Sequence, residues 1–285
     1  MSTLHYQGQS VAVFDCHVHT DKAALDSGEL CRRSRESSVK NLIVMSIAPS
    51  CFSIWKDRPY SNEERLELVL RQCEDMPMLH PVYWIDPTEE DAPRQVELAA
   101  AAGVVGFKVI CGNHYPGDPR AMKTYERMAQ VHKSVLFHSG ILWDGKSSSR
   151  YNRPSEFEDL LPIAGLTFAL AHISWPWTDE CIAVFGKYED ARRHYGDACA
   201  RMYVDITPGT PPLYRKEALY RLFKTGYQVE DSILFGSDSF LDRYDAAAVE
   251  KQVSVDLAHF ADMELPFRVV DKVFQGNVKN FYGIR

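Results

Sequence analysis

The sequence feature that most constrains the fold is a series of eight short apolar runs along almost the whole chain. Consecutive runs begin roughly 25 to 40 residues apart, which leaves room for one helix between each pair. Each run is continuously apolar rather than alternating, as expected for parallel strands that are buried on both faces. The runs cover residues 11–16, 42–47, 78–84, 104–110, 135–138, 167–172, 202–206 and 233–236.

The segments between the runs carry helix signals. Ser61 stands three residues before Glu64, the spacing of a capping box, and residues 86–90 precede a second helical pattern. Pro119 and Pro154 occupy positions where a helix would begin. Eight strand and helix units predict an α/β fold, the closed (β/α)8 TIM barrel, with a doubly wound open sheet as the alternative.

The end of the chain, residues 266–285, predicts an extra C-terminal helix. No low-complexity linker divides the sequence, so we predict a single domain over residues 1–285. The seven cysteines are irregularly spaced and odd in number, and no pair has the Cys-x-x-Cys spacing. This pattern indicates neither a disulfide framework nor a thiolate zinc site.

Charge and hydropathy restrict the partners. The chain has 32 Lys and Arg against 39 Asp and Glu, a formal charge of -7, and no basic run. This balance argues against a nucleic-acid or membrane-surface partner and favours a small-molecule substrate. The first ten residues lack the apolar core of a signal peptide. The longest apolar stretch of the chain, residues 98–107, is shorter than the roughly 18 apolar residues that a membrane span needs. We therefore expect a cytoplasmic protein without a membrane partner, and a homodimer remains open.

Polar side chains stand at the ends of five of the predicted strands, where a barrel of parallel strands carries its catalytic groups. They are Asp15, His17 and His19 at the end of the first run, Lys108 in the fourth, His138 and His172 closing the fifth and sixth, and Asp238 after the eighth. A single histidine at a strand end is more often a hydrogen-bonded polar cap, but this joint placement favours a metal site. Imidazole and carboxylate ligands suit Zn²⁺, with Mn²⁺, Fe²⁺ or Co²⁺ as substitutes, and leave a position for water.

Short motifs around these residues resemble the amidohydrolase superfamily, and more closely its amidohydrolase-2 branch, which is related to aminocarboxymuconate-semialdehyde decarboxylase. The matching segments are residues 14–19, 106–108, 118–120, 135–140, 170–172, 176–177, 179–180, 234–238 and 276–277. The resemblance implies that His17, His19, His138 and Asp238 bind one divalent metal ion. It also implies that His172 polarises the substrate or transfers a proton. In binuclear relatives the lysine at the position of Lys108 is carbamylated and bridges two metals, whereas in the closer branch it does not bridge.

The chain departs from this family pattern in two loops. Residues 109–114 replace the apolar-His-Pro turn that follows the lysine in many relatives, and Ser239 and Phe240 stand where Tyr-Pro is common. Substrate contacts therefore cannot be transferred from relatives.

Several loop residues are candidates for substrate contacts. Arg150 and Arg153 could bind a carboxylate, and His114 lies in a loop at the predicted barrel mouth. The tryptophans in mouth loops are Trp55, Trp143, Trp175 and Trp177. Residues 140–147 match the G-x-x-x-x-G-K-[ST] phosphate-loop pattern, but no helix signal follows them, so a nucleotide site is not expected.

The residues predict a metal-dependent hydrolase that acts on an ester, lactone or amide bond of a small, carboxylate-bearing molecule. Asp238 would orient or deprotonate a water molecule, and His172 would stabilise the developing oxyanion. The alternative is a metal-dependent non-oxidative decarboxylase of a small aromatic or dienoic acid. A third hypothesis, from another class, is a binding protein that retains the metal without catalysis.

Overall fold

A computed structural model describes residues 4–21, 37–52, 54 and 56–285. Two short antiparallel strands, β1 (His5–Tyr6) and β2 (Gln9–Ser10), form an N-terminal hairpin. Nine further strands form one sheet in which every pairing is parallel. They are β3 (Val13–His19), β4 (Val39–Met45), β5 (Leu79–Trp84), β6 (Gly106–Val109), β7 (Ser134–Phe137), β8 (Thr167–Leu170), β9 (Arg201–Asp205), β10 (Ile233–Leu234) and β11 (Ser239–Phe240).

The sheet closes on itself through its last strand segment. Strands β10 and β11 lie at the two ends of the sheet order, yet both belong to the segment 233–240. The Cys16 N–H donates to the Phe235 carbonyl and the Asp238 N–H donates to the His17 carbonyl, both at 3.0 Å. These bonds join the segment to β3, so the predicted (β/α)8 barrel is confirmed and the open doubly wound sheet is wrong.

Within the described ranges, the α-helices lie between the strands and at the C-terminus and are numbered α1 to α8. They are α1 (Asn62–Glu74), α2 (Ala92–Ala101), α3 (Pro119–Gln130), α4 (Thr178–Tyr195), α5 (Pro212–Lys224), α6 (Ala246–Asp262), α7 (Phe267–Asp271) and α8 (Asn277–Tyr282). The predicted capping box at α1 is present, since the Ser61 hydroxyl accepts from the Glu64 N–H and the Glu64 carboxylate accepts from the Ser61 N–H.

Two helix starts differ from the prediction. Residues 86–90 form a turn, because the Asp86 carboxylate accepts from the N–H and hydroxyl of Thr88, and α2 begins only at Ala92. Pro154 begins a 3-10 helix, Pro154–Leu160, rather than an α-helix.

The predicted extra helix at the C-terminus is present. A wide helical turn, Lys272–Gly276, connects α7 to α8. Phe281 packs on Tyr203 at a ring separation of 5.0 Å, and Tyr282 fills the space beside Gly106, the first residue of β6. The helix therefore closes the amino-terminal end of the barrel and leaves the opposite end for the site. In the part of the chain described, no helix combines the length and apolarity that a membrane crossing requires.

Candidate metal centre

The carboxyl ends of the barrel strands enclose a cavity of about 160 Å³. Asp15 is not among its lining residues, but the other six side chains that the sequence places at strand ends all line it, although they come from five different strand ends. They are His17, His19, Lys108, His138, His172 and Asp238. The rule that parallel barrels assemble their sites at this end accounts for the convergence.

Among the described residues, His17, His172 and Asp238 form a tight group of possible metal ligands, whose donor atoms all lie within 4.8 Å of one another. The Oδ1 atom of Asp238 is 3.5 Å from His17 Nε2 and 3.1 Å from His19 Nε2. One carboxylate oxygen therefore faces both histidines of the first barrel strand. Nitrogen and oxygen donors of this kind are ligands for a divalent metal ion.

His138 and His172 face each other across the cavity with ring centroids 5.0 Å apart. The family resemblance implies that His138 binds the metal and that His172 acts on the substrate. In the structure, however, it is His172 whose ring nitrogen lies in the tight group of donor atoms with His17 and Asp238. Each ring has one nitrogen against a backbone carbonyl, His172 Nδ1 at 3.0 Å from Pro208 O and His138 Nε2 at 3.3 Å from Ile141 O. A carbonyl only accepts, so these nitrogens carry hydrogen and the opposite ring nitrogens keep their lone pairs in the neutral rings.

The backbone at the site is held in an uncommon conformation. His172, Ile173 and Ser174 have φ values of 63°, 47° and 54°, and Asp238 has a φ of 60°. Non-glycine residues in this left-handed region concentrate at functional sites, where surrounding structure compensates their cost. Gly209 packs directly on His172, because a Cβ atom at Gly209 would lie 2.7 Å from the His172 Cβ.

The protonation states suit a cation. Burial, followed by the nearby positive charge of Lys108, holds the pKa of His17 well below its ordinary value, and burial also lowers the pKa of His19. Burial alone would raise the pKa of Asp238, but the hydrogen bond with His19 and the charge of His17 outweigh it and lower that pKa. Neutral imidazoles and an ionised carboxylate are the forms that bind metal ions.

Lys108 brings a buried amine into the cavity. Lys108 is 1% exposed, and its Nζ atom lies 3.4 Å from His17 Nε2. Burial lowers its pKa to about 8, while the charges of Asp238 and Asp205 act in the opposite direction. Among the described residues no carboxylate lies within ion-pair distance of it, so its positive charge faces the cavity.

Two buried carboxylates support the site: Asp205, which the sequence reasoning missed, and Asp15, which it placed at a strand end without giving it a role. The Asp205 Oδ2 atom, at the end of β9, lies 2.8 Å from His17 Nδ1. The Asp15 Oδ1 atom accepts from the N–H groups of His17 and Ser237 and thereby ties β3 to the segment that carries Asp238. The available signal was an aspartate inside an otherwise apolar run, since a fully buried charge requires donors around it.

The outer walls of the cavity are mainly apolar. They are formed by Ile110, Ile141, Leu142, Trp143, Trp175 and Pro208. Trp175 stacks on Tyr214 at 4.8 Å, whereas Trp143 is 79% exposed at the rim. Of the four tryptophans predicted in mouth loops, the structure thus places Trp143 and Trp175 at the cavity, whereas Trp177 does not line it. Trp55 lies outside the described residues.

The other predicted substrate contacts do not line this cavity in the described part of the chain. Arg153 donates to the Glu180 carboxylate at 2.8 and 3.1 Å, and Arg150 donates to the Tyr151 hydroxyl. His114 is buried, with Nδ1 at 3.2 Å from the side-chain oxygen of Asn113. Residues 140–148 contain no helix, and the element that follows is a 3-10 helix, Ser149–Asn152, rather than the α-helix on which a phosphate loop depends.

The family model described as amidohydrolase, of the amidohydrolase-2 group, matches residues 14–284. The chain belongs to the amidohydrolase-2 family. No curated protein sequence matches this amidohydrolase.

Solved structures share the fold of this amidohydrolase at low sequence identity. A 2,6-dihydroxybenzoate decarboxylase from Rhizobium has a TM-score of 0.64 at 10% identity, covering 96% of this chain and 99% of that one. An amidohydrolase from Burkholderia multivorans with bound zinc has a TM-score of 0.63 at 11% identity, covering 96% and 100%. A dihydroorotase from Campylobacter jejuni has a TM-score of 0.59 at 15% identity, covering 99% and 87%. The family generally binds a divalent metal.

Proposed function

We propose that this amidohydrolase uses one divalent ion, with Zn²⁺ preferred, to hydrolyse an ester, lactone or amide bond in a small, carboxylate-bearing molecule. The observation that carries the proposal is the convergence of neutral imidazoles and the ionised Asp238 at one cavity beside Lys108. His17, His19 and Asp238 would hold the ion, and His172 or His138 would complete the set. When bound, the ion would supply Lewis-acid activation of a water molecule and of the scissile carbonyl.

Asp238 is suited to move the proton of the hydrolytic water. Its side chain is 36% exposed, in contrast to that of His17, which is 1% exposed, so one carboxylate can face both the metal ligands and the cavity. We assign it the general base that takes a proton from the attacking water and delivers it to the leaving group.

The hydrogen bonding of His172 decides what this ring can do. Its Nδ1–H donates to the Pro208 carbonyl, so a neutral ring presents a lone pair at Nε2. Such a ring can bind the ion or accept a proton, whereas the predicted role of oxyanion donor requires the imidazolium form. Lys108 already provides a donor with positive charge in the cavity. We therefore assign stabilisation of negative charge on the substrate to Lys108, and to His172 only when its ring is an imidazolium.

The size and walls of the cavity support a substrate with one ring. Its volume of about 160 Å³ is similar to that of an engineered apolar cavity of about 150 Å³ that binds benzene. The apolar side chains of the cavity wall, among them Ile110 and Trp175, would contact the faces of the substrate ring. Lys108 would pair with the carboxylate of the substrate. A ring-bearing acid also suits decarboxylation, which remains the second candidate.

The test measures which product forms. Zinc-reconstituted protein is offered a panel of lactones, aryl esters and cyclic amides together with aromatic and dienoic acids. Hydrolysis is followed by proton release for the lactones and esters and by chromatography of the ring-opened product for the cyclic amides, because an amide yields a carboxylate and an ammonium group without a net proton. Carbon dioxide release is followed in parallel, and the proposal expects hydrolysis of a member of the first group without carbon dioxide. Carbon dioxide release would establish the second candidate, and binding without turnover across the panel would contradict both.

A further inference from the structure

Asp205 occupies a fully buried position between Thr207 and His17. Its Oδ1 atom accepts from the Thr207 N–H at 2.7 Å and from the Thr207 hydroxyl. The other oxygen, Oδ2, lies 2.8 Å from His17 Nδ1. With Oδ1 occupied by the two Thr207 donors, Oδ2 is left to pair with the histidine ring.

These contacts fix which ring nitrogen of His17 carries hydrogen. An ionised carboxylate only accepts hydrogen bonds, so His17 Nδ1 must donate and Nε2 must keep its lone pair. The Nε2 atom lies on the cavity side, 3.5 Å from Asp238 Oδ1 and 3.4 Å from Lys108 Nζ. The nitrogen that faces the other ligands is therefore the one able to bind a cation.

The His17 side chain has little freedom to adopt another orientation. A Cβ atom at Gly236 would lie 2.5 Å from the His17 Cβ and 2.5 Å from the Thr207 hydroxyl oxygen, which shows how tightly these groups pack. A change at Asp205 that preserves its shape should therefore alter the tautomer of His17 before it alters the position of the ring.

We propose that Asp205, held by Thr207, is a positioning residue that locks His17 in the tautomer with its Nε2 lone pair directed at a divalent ion. This inference rests on the proposed metal-dependent function. Partners that orient a metal-binding histidine through its second nitrogen typically contribute about 10- to 100-fold in metal affinity.

The deciding variant is Asp205→Asn. Both Thr207 donors would retain the amide oxygen, so the amide NH₂ would face His17 Nδ1 and donate to it. The tautomer would then reverse and direct an N–H group at the ion. Asp205→Ala removes the carboxylate and leaves the Thr207 hydroxyl 3.3 Å from His17 Nδ1, and because a hydroxyl can either donate or accept, it imposes neither tautomer. The proposal therefore expects the isosteric Asn variant to bind zinc more weakly than the Ala variant, an order that a merely structural role would not produce.

The experiment combines two readouts. Nitrogen-15 NMR of the histidine rings in metal-free protein reports the His17 tautomer, and competition with a chromophoric chelator gives the Kd for Zn²⁺. We expect Nδ1–H in the wild type, Nε2–H in Asp205→Asn, and a Kd that the Asn variant raises about 10- to 100-fold. Asp256→Asn, which alters a buried carboxylate paired with Arg215 away from the site, is the control and should leave the Kd unchanged.

Each outcome bears on the inference separately from the proposed function. A wild-type Nε2–H tautomer, or an Asn variant with wild-type zinc affinity, would overturn the role of Asp205. If the wild type takes up no zinc, the proposed function fails, whereas the tautomer in the metal-free protein still decides whether Asp205 sets it. The wild-type spectrum requires no variant to fold.

Discussion

Replacing Gly209 by alanine should weaken the metal centre through His172. The added Cβ would lie 2.7 Å from the His172 Cβ, 2.9 Å from Cγ and 3.0 Å from Nδ1. The same Nδ1 atom is 3.0 Å from the Pro208 carbonyl, so the loop holds the ring on the side where the methyl group would enter. The backbone of Gly209 itself permits alanine, since its φ is not in the left-handed region.

The expected magnitude follows from these contacts. Carbon atoms in contact normally lie about 3.5–4.0 Å apart, so the ring or the loop must move by roughly 1 Å. Overpacking of this kind costs about 1–3 kcal/mol. If the His172 ring moves, that cost appears in metal affinity as a Kd raised by about 5- to 150-fold.

The assay is zinc competition with a chelator, together with thermal unfolding of the metal-free protein. Gly112→Ala is the matched control, because Gly112 has no heavy atom within 4 Å of the position of its added Cβ. We expect the control to bind zinc like the wild type. A Gly209→Ala protein with unchanged zinc affinity would show that the His172 ring does not depend on this contact, and would refute the reasoning.

Three further predictions concern separate parts of the molecule. Asp238→Asn should lower turnover by at least about 10²-fold with the fold intact, and near-wild-type turnover at equal metal content would contradict its role as base. Asp256→Ala leaves Arg215, which donates to it at 2.6 Å, buried without its carboxylate; unfolding in denaturant should show a loss of about 3–5 kcal/mol, and a loss within error of zero would be inconsistent with this pair. Trp143→Ala should raise KM roughly 2- to 10-fold with unchanged Tm, because the indole is 79% exposed, and an unchanged KM would exclude substrate contact.

The barrel was predictable from the sequence because its signal is local. Strands buried on both faces require continuous apolar runs, and each of the eight runs overlaps a strand of the barrel. The break between β10 and β11 was not visible, since it arises where the segment 233–240 pairs with two different neighbours. The capping box at Ser61 was visible because both partners lie within one turn.

The sequence was sufficient to predict which side chains meet at the site, but not which role each of them has there. Strand ends point to one mouth, so the convergence of His17, His172 and Asp238 follows from topology. Whether His138 or His172 joins the ligand group depends on the turns that follow β7 and β8, which residue spacing does not determine. The partner of Arg153 is Glu180, 27 positions away in sequence, and that pairing emerges only in the folded chain.

Dependence of turnover on bound metal tests the central claim most directly. Chelator-treated protein is titrated with Zn²⁺ while hydrolysis of the best substrate is followed and bound metal is measured in the same sample. We expect no turnover without metal and a rate that rises to a break at about one equivalent. A break near two equivalents with a carbamate mass increment on Lys108 would replace the one-metal assignment, and full turnover in the metal-free protein would contradict the account.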